Sequence, residues 1–91
     1  MDQMKLQLSK NSEYKTLAEI KVGQRAIVVR LLVEGLTRRR LLDLGLLPRT
    51  EVRALMKSPM GDPTAYDIRG SMLALRSEDA SKIIVKPLPL R

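Results

Sequence analysis

The run RAIVVRLLV at positions 25–33 is β-branched and almost continuously apolar, a composition that suits a pleated, well-buried strand. One parity, Ile27, Val29, Leu31 and Val33, is wholly apolar and the other carries Arg30, so the first set is expected to face a core. Downstream of it the chain is cut into short pieces. Glu34-Gly35-Leu36 turns the chain, Thr37 is placed to cap a helix, and Gly45 and Pro48 end that helix within about two turns. TEVRALMK at 50–57 alternates Val52, Ala54 and Met56 against Glu51, Arg53 and Lys57, the pattern of a half-exposed strand. SPMGDP at 58–63 holds two prolines and a glycine in six residues and reads as a loop. Residues 65–69 and 72–76 form a hairpin about Gly70-Ser71, as a type II′ turn with glycine in the first position. Ser77, trailed by Glu78 and Asp79, starts a short helix, and Ile83-Ile84-Val85 is a last strand closed by Pro87 and Pro89.

Upstream, Thr16-Leu17-Ala18-Glu19 matches the capping box and starts about one turn of helix, with Gly23 available for a left-handed end. Residues 1–15 read as a flexible N-terminal tail, although the alternation Met4, Leu6, Leu8 also suits an added edge strand. The tally is about five strands and two or three short helices, the profile of a small, partly open β-barrel over 16–87, with a C-terminal tail at 88–91. With 91 residues, the chain has room for one domain and a small core.

Composition removes whole classes of chemistry. There is no cysteine and no histidine, so disulfides, thiolate or imidazole metal sites and Cys-His or Ser-His catalysis are out. The chain is expected not to be an enzyme and to hold no cofactor. Asp43, Glu51, Asp62 and Asp67 fall on different elements without ligand spacing, so no metal site is expected. The start MDQMKLQLSK has neither the basic opening nor the apolar run of a signal peptide, and no apolar run approaches the roughly 20 residues that cross a bilayer. A cytoplasmic location is expected.

Seventeen Lys and Arg against ten Asp and Glu give a net charge of +7, which suits nucleic acid, anionic lipid or an acidic protein surface. Arg38, Arg39 and Arg40 are the single basic run. On a helix they fan out at about 100° intervals and do not converge on one phosphate. Leu41 and Leu44 are expected to anchor this helix to the core, with Leu42 partly exposed. Arg39 and Asp43, four apart, are placed for a weak surface ion pair. Three cations in the first turn after Thr37 also oppose the helix dipole. The arginines therefore read either as solubilising charge whose stems cover apolar surface or as a patch that meets a partner. Met60, at the tip of the 58–63 loop, is in the same way either a plain loop residue or an interaction anchor.

The order of these signals resembles the FeoA family, small accessory proteins of bacterial ferrous iron uptake. The residues that carry the resemblance are TLAEIKVGQRAIVV at 16–29, RRRLLDLGLLP at 38–48, TEV at 50–52, GDP at 61–63 and RGSMLALRSEDASKIIV at 69–85. The resemblance implies an SH3-like barrel that binds rather than catalyses, acting on FeoB, a membrane iron transporter with a cytoplasmic GTP-hydrolysing domain. The carry-over falls on Arg39, Arg40, Leu41, Asp43, Leu44, Gly45 and Pro48, and on Gly61, Asp62 and Pro63. Candidate partner contacts are the exposed members of these two groups with their neighbours: Arg38, Arg39, Arg40, Leu42 and Asp43 on the helix, and Met60, Gly61 and Asp62 in the loop. The family has glycine after the proline where this chain has Arg49, so either the turn differs or Arg49 takes positive φ under strain. Similar domains end iron-dependent repressors, but this chain has no winged helix.

Without Trp or Phe, the barrel cannot line a groove for polyproline peptides. The alternative function is a small basic nucleic-acid-binding barrel. A monomer or weak homo-oligomer is expected, with the membrane reached only through the transporter.

Overall fold

The computed structural model describes residues 13–89. Six strands, β1 (Lys15–Thr16), β2 (Arg25–Leu31), β3 (Glu51–Lys57), β4 (Thr64–Ile68), β5 (Ser71–Leu75) and β6 (Ile83–Pro87), form one sheet. Its order is β1-β6-β2-β3-β4-β5, and every neighbouring pair is antiparallel. Among the described residues, two helices, α1 (Gly35–Asp43) and α2 (Ser77–Ala80), and a 3-10 turn at Leu17–Glu19 accompany the sheet. The mainly β class expected from the sequence is found. Expectations for a flexible tail over 1–12 and at 90–91 fall outside the described residues; Lys15 already pairs with Val85 in β6, and the Leu88 amide donates to the Arg25 carbonyl at 2.9 Å. Among the described residues no helix is long and apolar enough to cross a membrane.

The core fills the interior of the curled sheet: Leu17, Val28, Val52, Tyr66, Ile68, Ile83 and Val85 are fully enclosed. Burial of each such aliphatic side chain is worth about 1.5–3 kcal/mol. Tyr66 is the one aromatic inside, and its hydroxyl donates to the Leu17 carbonyl at 3.3 Å, tying strand β4 to the 3-10 turn. That turn opens as its sequence indicates, with the Thr16 amide donating to the Glu19 carboxylate at 2.7 Å.

The parity read along β2 does not hold through the strand. Ala26 and Val28 point inward, Val29 is exposed, and Leu31 and Val33 point inward again. The cause is a β-bulge, seen as a register shift against β6 between Val28 and Arg30. One extra residue in a strand of period two exchanges the faces on either side of it. A second bulge in β3, between Ala54 and Met56, turns Met56 out to solvent, where it is 60% exposed, against the expectation that it shared a face with Val52 and Ala54.

The β4–β5 hairpin turns one residue earlier than expected. Ile68 pairs with Ser71, which leaves Arg69 and Gly70 as the two central residues, at φ 54° and 92°. Positive φ at both positions makes this a type I′ turn, whose twist matches that of the strands. The Asp67 carboxylate accepts from the Gly70 amide at 3.0 Å and closes it.

Candidate functional site

Helix α1 begins before Thr37. Glu34 is the extended residue at its head and Gly35, at φ 64°, lets the chain swing into it. Thr37 is thus inside the first turn rather than capping it. The three arginines sit correspondingly deeper, Arg38 with its amide on the Glu34 carbonyl and Arg40 already in the last turn, where positive charge is favoured by the dipole. The electrostatic conflict expected from the sequence is relieved by this shift of the start.

The end of α1 explains which leucines hold it. The Leu46 amide donates to the Leu41 carbonyl at 3.0 Å and the Gly45 amide to the Leu42 carbonyl at 3.0 Å, with Gly45 at φ 102°. These are the two bonds of a Schellman ending, in which the residue after the glycine packs back on the helix's last inward side chain. Leu41 and Leu46 are accordingly the buried pair, and Leu44, expected inward, is 47% exposed. Leu42 is half-buried against the core as expected.

On α1 the side chains of Arg38, Arg39, Arg40 and Asp43 are all exposed. Leu36, which no sequence signal singled out, stands 83% exposed and lines an open depression with Gly35, Arg38, Arg39 and Leu42. Arg40 faces elsewhere, into a smaller cleft with Thr37, Leu73, Arg76 and Asp79. The expected Arg39–Asp43 pair is not formed; among the described residues the one ion pair is Arg25–Glu51 at 3.2 Å.

The 58–63 loop is a built structure. Ser58 Oγ donates to the Asp62 carbonyl at 2.9 Å and accepts from the Met60 amide, and Gly61 turns at φ 89°. Asp62 faces inward along the surface: its carboxylate accepts from the Ser77 amide at 2.7 Å, capping α2 from a distant part of the sequence. Ser77, read as the start of that helix, is its first residue, and Arg76 takes the cap position without a side-chain bond of its own. Met60 stands 90% exposed at the tip. Of the loop's candidates, Met60 and Gly61 face solvent freely, while Asp62 already has a structural partner.

A feature that sequence reasoning missed lies on the outer face of β2, β3 and β4. Arg25, Arg53 and Asp67 form one cross-strand row, Arg25 opposite Arg53 and Arg53 opposite Asp67. Arg49 and Arg69 rim the same concavity of about 540 Å³, together with Glu51. The alternation at Glu51 and Arg53 was a signal for part of it, but the register that sets Arg25 beside Arg53 is not written in either strand alone. Among the described residues no three His, Cys, Asp or Glu side chains form a metal-sized group.

An open, strongly curled antiparallel sheet closed over a single core, with one two-turn helix between its second and third strands, defines a small SH3-like barrel. A model of the FeoA domain matches residues 15–87, and the chain belongs to that family. It is similar in structure to the FeoA protein of Chlorobium tepidum, with a TM-score of 0.79 and 38% identity over 81% of this chain and 70% of that one. It is also similar to a Stenotrophomonas maltophilia FeoA crystallised with zinc and described as a prokaryotic SH3 domain protein. That likeness has a TM-score of 0.67 and 32% identity, over 78% of this chain and 88% of the other. A Porphyromonas gingivalis protein that fuses Fe(2+) transport protein A to the Fe(2+) transporter FeoB is 34% identical over 70 residues, 77% of this chain. This chain spans 8% of the fusion protein's length.

Proposed function

We propose that this chain is a non-catalytic accessory protein of ferrous iron uptake that docks on the cytoplasmic part of a FeoB-like transporter and modulates its assembly or GTPase cycle. The observation that carries the reading is the fused relative, in which a segment 34% identical to this chain shares a polypeptide with the transporter. Covalent fusion of two parts holds them at high effective concentration and suits parts that act together. The absence of cysteine and histidine supports binding over chemistry.

The docking face is α1 with the 58–63 loop. Exposed Leu36 and half-buried Leu42 supply apolar area, Arg38 and Arg39 line it, Asp43 is exposed on the same helix, and Met60 offers a flexible thioether side chain at a rigid tip. Divergent guanidiniums around an apolar centre suit a protein surface with acidic patches. A pull-down with the full-length transporter in membranes, and with its GTPase domain with and without nucleotide, tests the reading. Binding lost on reversing Arg38 and Arg39, the two arginines that line the depression, to Glu, with the fold intact, is the expected result. No binding to the full-length transporter overturns it.

A further inference from the structure

Two residues other than glycine have positive φ among the described residues: Arg49 at 78° and Arg69 at 54°. Both are arginines, and both rim the same concavity on the outer face of β2–β4. A side chain with a Cβ is disfavoured in this region, and such outliers persist where surrounding structure over-determines them and cluster where function uses them. Arg49 is pinned by its amide on the Val28 carbonyl at 2.7 Å, next to the β2 bulge. Arg69 is fixed by the type I′ turn, a position that glycine, asparagine or aspartate would fill with less strain.

The remaining charges in the concavity are of both signs. Arg25 pairs with Glu51 at 3.2 Å, Asp67 stands opposite Arg53 on the neighbouring strand, and all four cations are arginine rather than lysine. Directly opposed like charges such as Arg25 and Arg53 destabilise a sheet on their own. Among the described residues Arg49, Arg53 and Arg69 make no ion pair, so three guanidinium forks are left for a ligand. Guanidinium forks match carboxylate and phosphate alike. Two observations decide between them. Glu51 and Asp67 interleave with the arginines and repel the dense charge of a phosphate backbone, and no aromatic side chain lines the concavity on which a base would stack.

We infer that the Arg25–Arg49–Arg53–Arg69 concavity is a binding site for an acidic protein segment, whose separated carboxylates pair with Arg49, Arg53 and Arg69. It shares no residue with the α1 face and stands whatever that face contacts.

The test uses the full chain and a synthetic dodecapeptide rich in Asp and Glu, titrated at low salt and again with added salt. A single-stranded DNA oligonucleotide of equal charge and inorganic phosphate serve as the other arms. The wild type is expected to bind the peptide more tightly than either, with affinity falling as salt rises. Arg49→Gly with Arg69→Gly should weaken it about tenfold or more, the loss expected for two charge-assisted contacts. The charge-matched pair Lys21→Gln with Lys82→Gln should change it little. Because glycine relaxes both positive-φ positions, the thermal midpoint of the Arg49→Gly, Arg69→Gly variant should equal or exceed the wild type's. If that variant proves unstable, Arg53→Gln, on regular strand backbone, must show the weakened binding instead. Equal weakening by the control pair, tighter binding of the oligonucleotide or of phosphate, or no peptide binding at low salt overturns the inference.

Discussion

The Asp62 carboxylate sits 2.7 Å from the Ser77 amide, so a loop at the end of β3 caps a helix that begins fifteen residues later. Ser77 Oγ lies within 3.5 Å of the second carboxylate oxygen, and the negative charge is placed at the favourable end of α2. Helices of this length do not persist unaided. Asp62→Ala is expected to cost about 0.5–2 kcal/mol, the usual value of an N-terminal cap, and Asp62→Asn, which keeps an acceptor, less. Urea midpoints of the two variants check this; equal losses would show that the bond to Ser77 carries no stability. The same geometry makes Met60→Ala, not Asp62→Ala, the clean probe of partner contact by this loop.

The Schellman ending of α1 predicts a sharp difference between two leucines two positions apart. Leu46 is fully buried and Leu44 is 47% exposed. Leu46→Ala should cost about 2–5 kcal/mol through lost transfer energy and a cavity, and Leu44→Ala about 0.5 kcal/mol or less. Denaturant midpoints at unchanged m-value measure both. Comparable losses would mean that Leu44, as its helical spacing from Leu41 suggests, is the true anchor.

These leucines also show where the sequence is legible. Element types and order follow from local chemistry: β-branched runs, the Thr16–Glu19 box, Gly45 and the Ser58–Pro63 loop lie where their residue types place them, whereas the first helical turn ends at Ile20, short of Gly23, and Gly70 is the second, not the first, central residue of its hairpin turn. Face assignments fail where an inserted residue or a cap breaks the period. Nothing in RAIVVRLLV says that Val29 is the bulge, because both parities are apolar apart from Arg25 and Arg30, and pairing with β6 decides it. Leu46 was within reach, since a glycine ending a helix directs the next apolar residue back onto it. Among the candidate site residues, the exposure of Arg38, Arg39, Arg40 and Met60 was legible. The capping role of Asp62 and the arginine concavity were not, because each depends on segments brought together only by the sheet.

Within α1, position along the dipole separates the arginines. Arg40 lies in the last turn and Arg38 toward the start, so Arg40→Glu should destabilise the protein by about 0.3–1 kcal/mol more than Arg38→Glu, with the gap shrinking in high salt. Thermal midpoints of both variants at low and high ionic strength measure it. If Arg38→Glu is the worse of the two, position along the α1 dipole does not govern the cost of these reversals.

Tyr66 predicts the alkaline limit of the fold. Burial raises its phenol above the ordinary value near 10, outweighing the opposing hydrogen bond with Thr64, and the nearby Asp62 charge adds a lesser push in the same upward direction. Because the folded form holds the proton longer than the unfolded chain, its contribution is whole below about pH 10 and is lost as the pH rises past that value. Tyr66→Phe removes this dependence together with the 3.3 Å bond to the Leu17 carbonyl. That carbonyl also accepts from the Ile20 amide at 3.1 Å, so the loss near pH 7 should fall toward the lower end of about 0.5–1.5 kcal/mol. Urea midpoints of wild type and Tyr66→Phe at pH 7, 9 and 10.5 should converge at the highest pH. A gap that stays constant or widens there would show that the folded protein ionises Tyr66 as readily as the unfolded chain does.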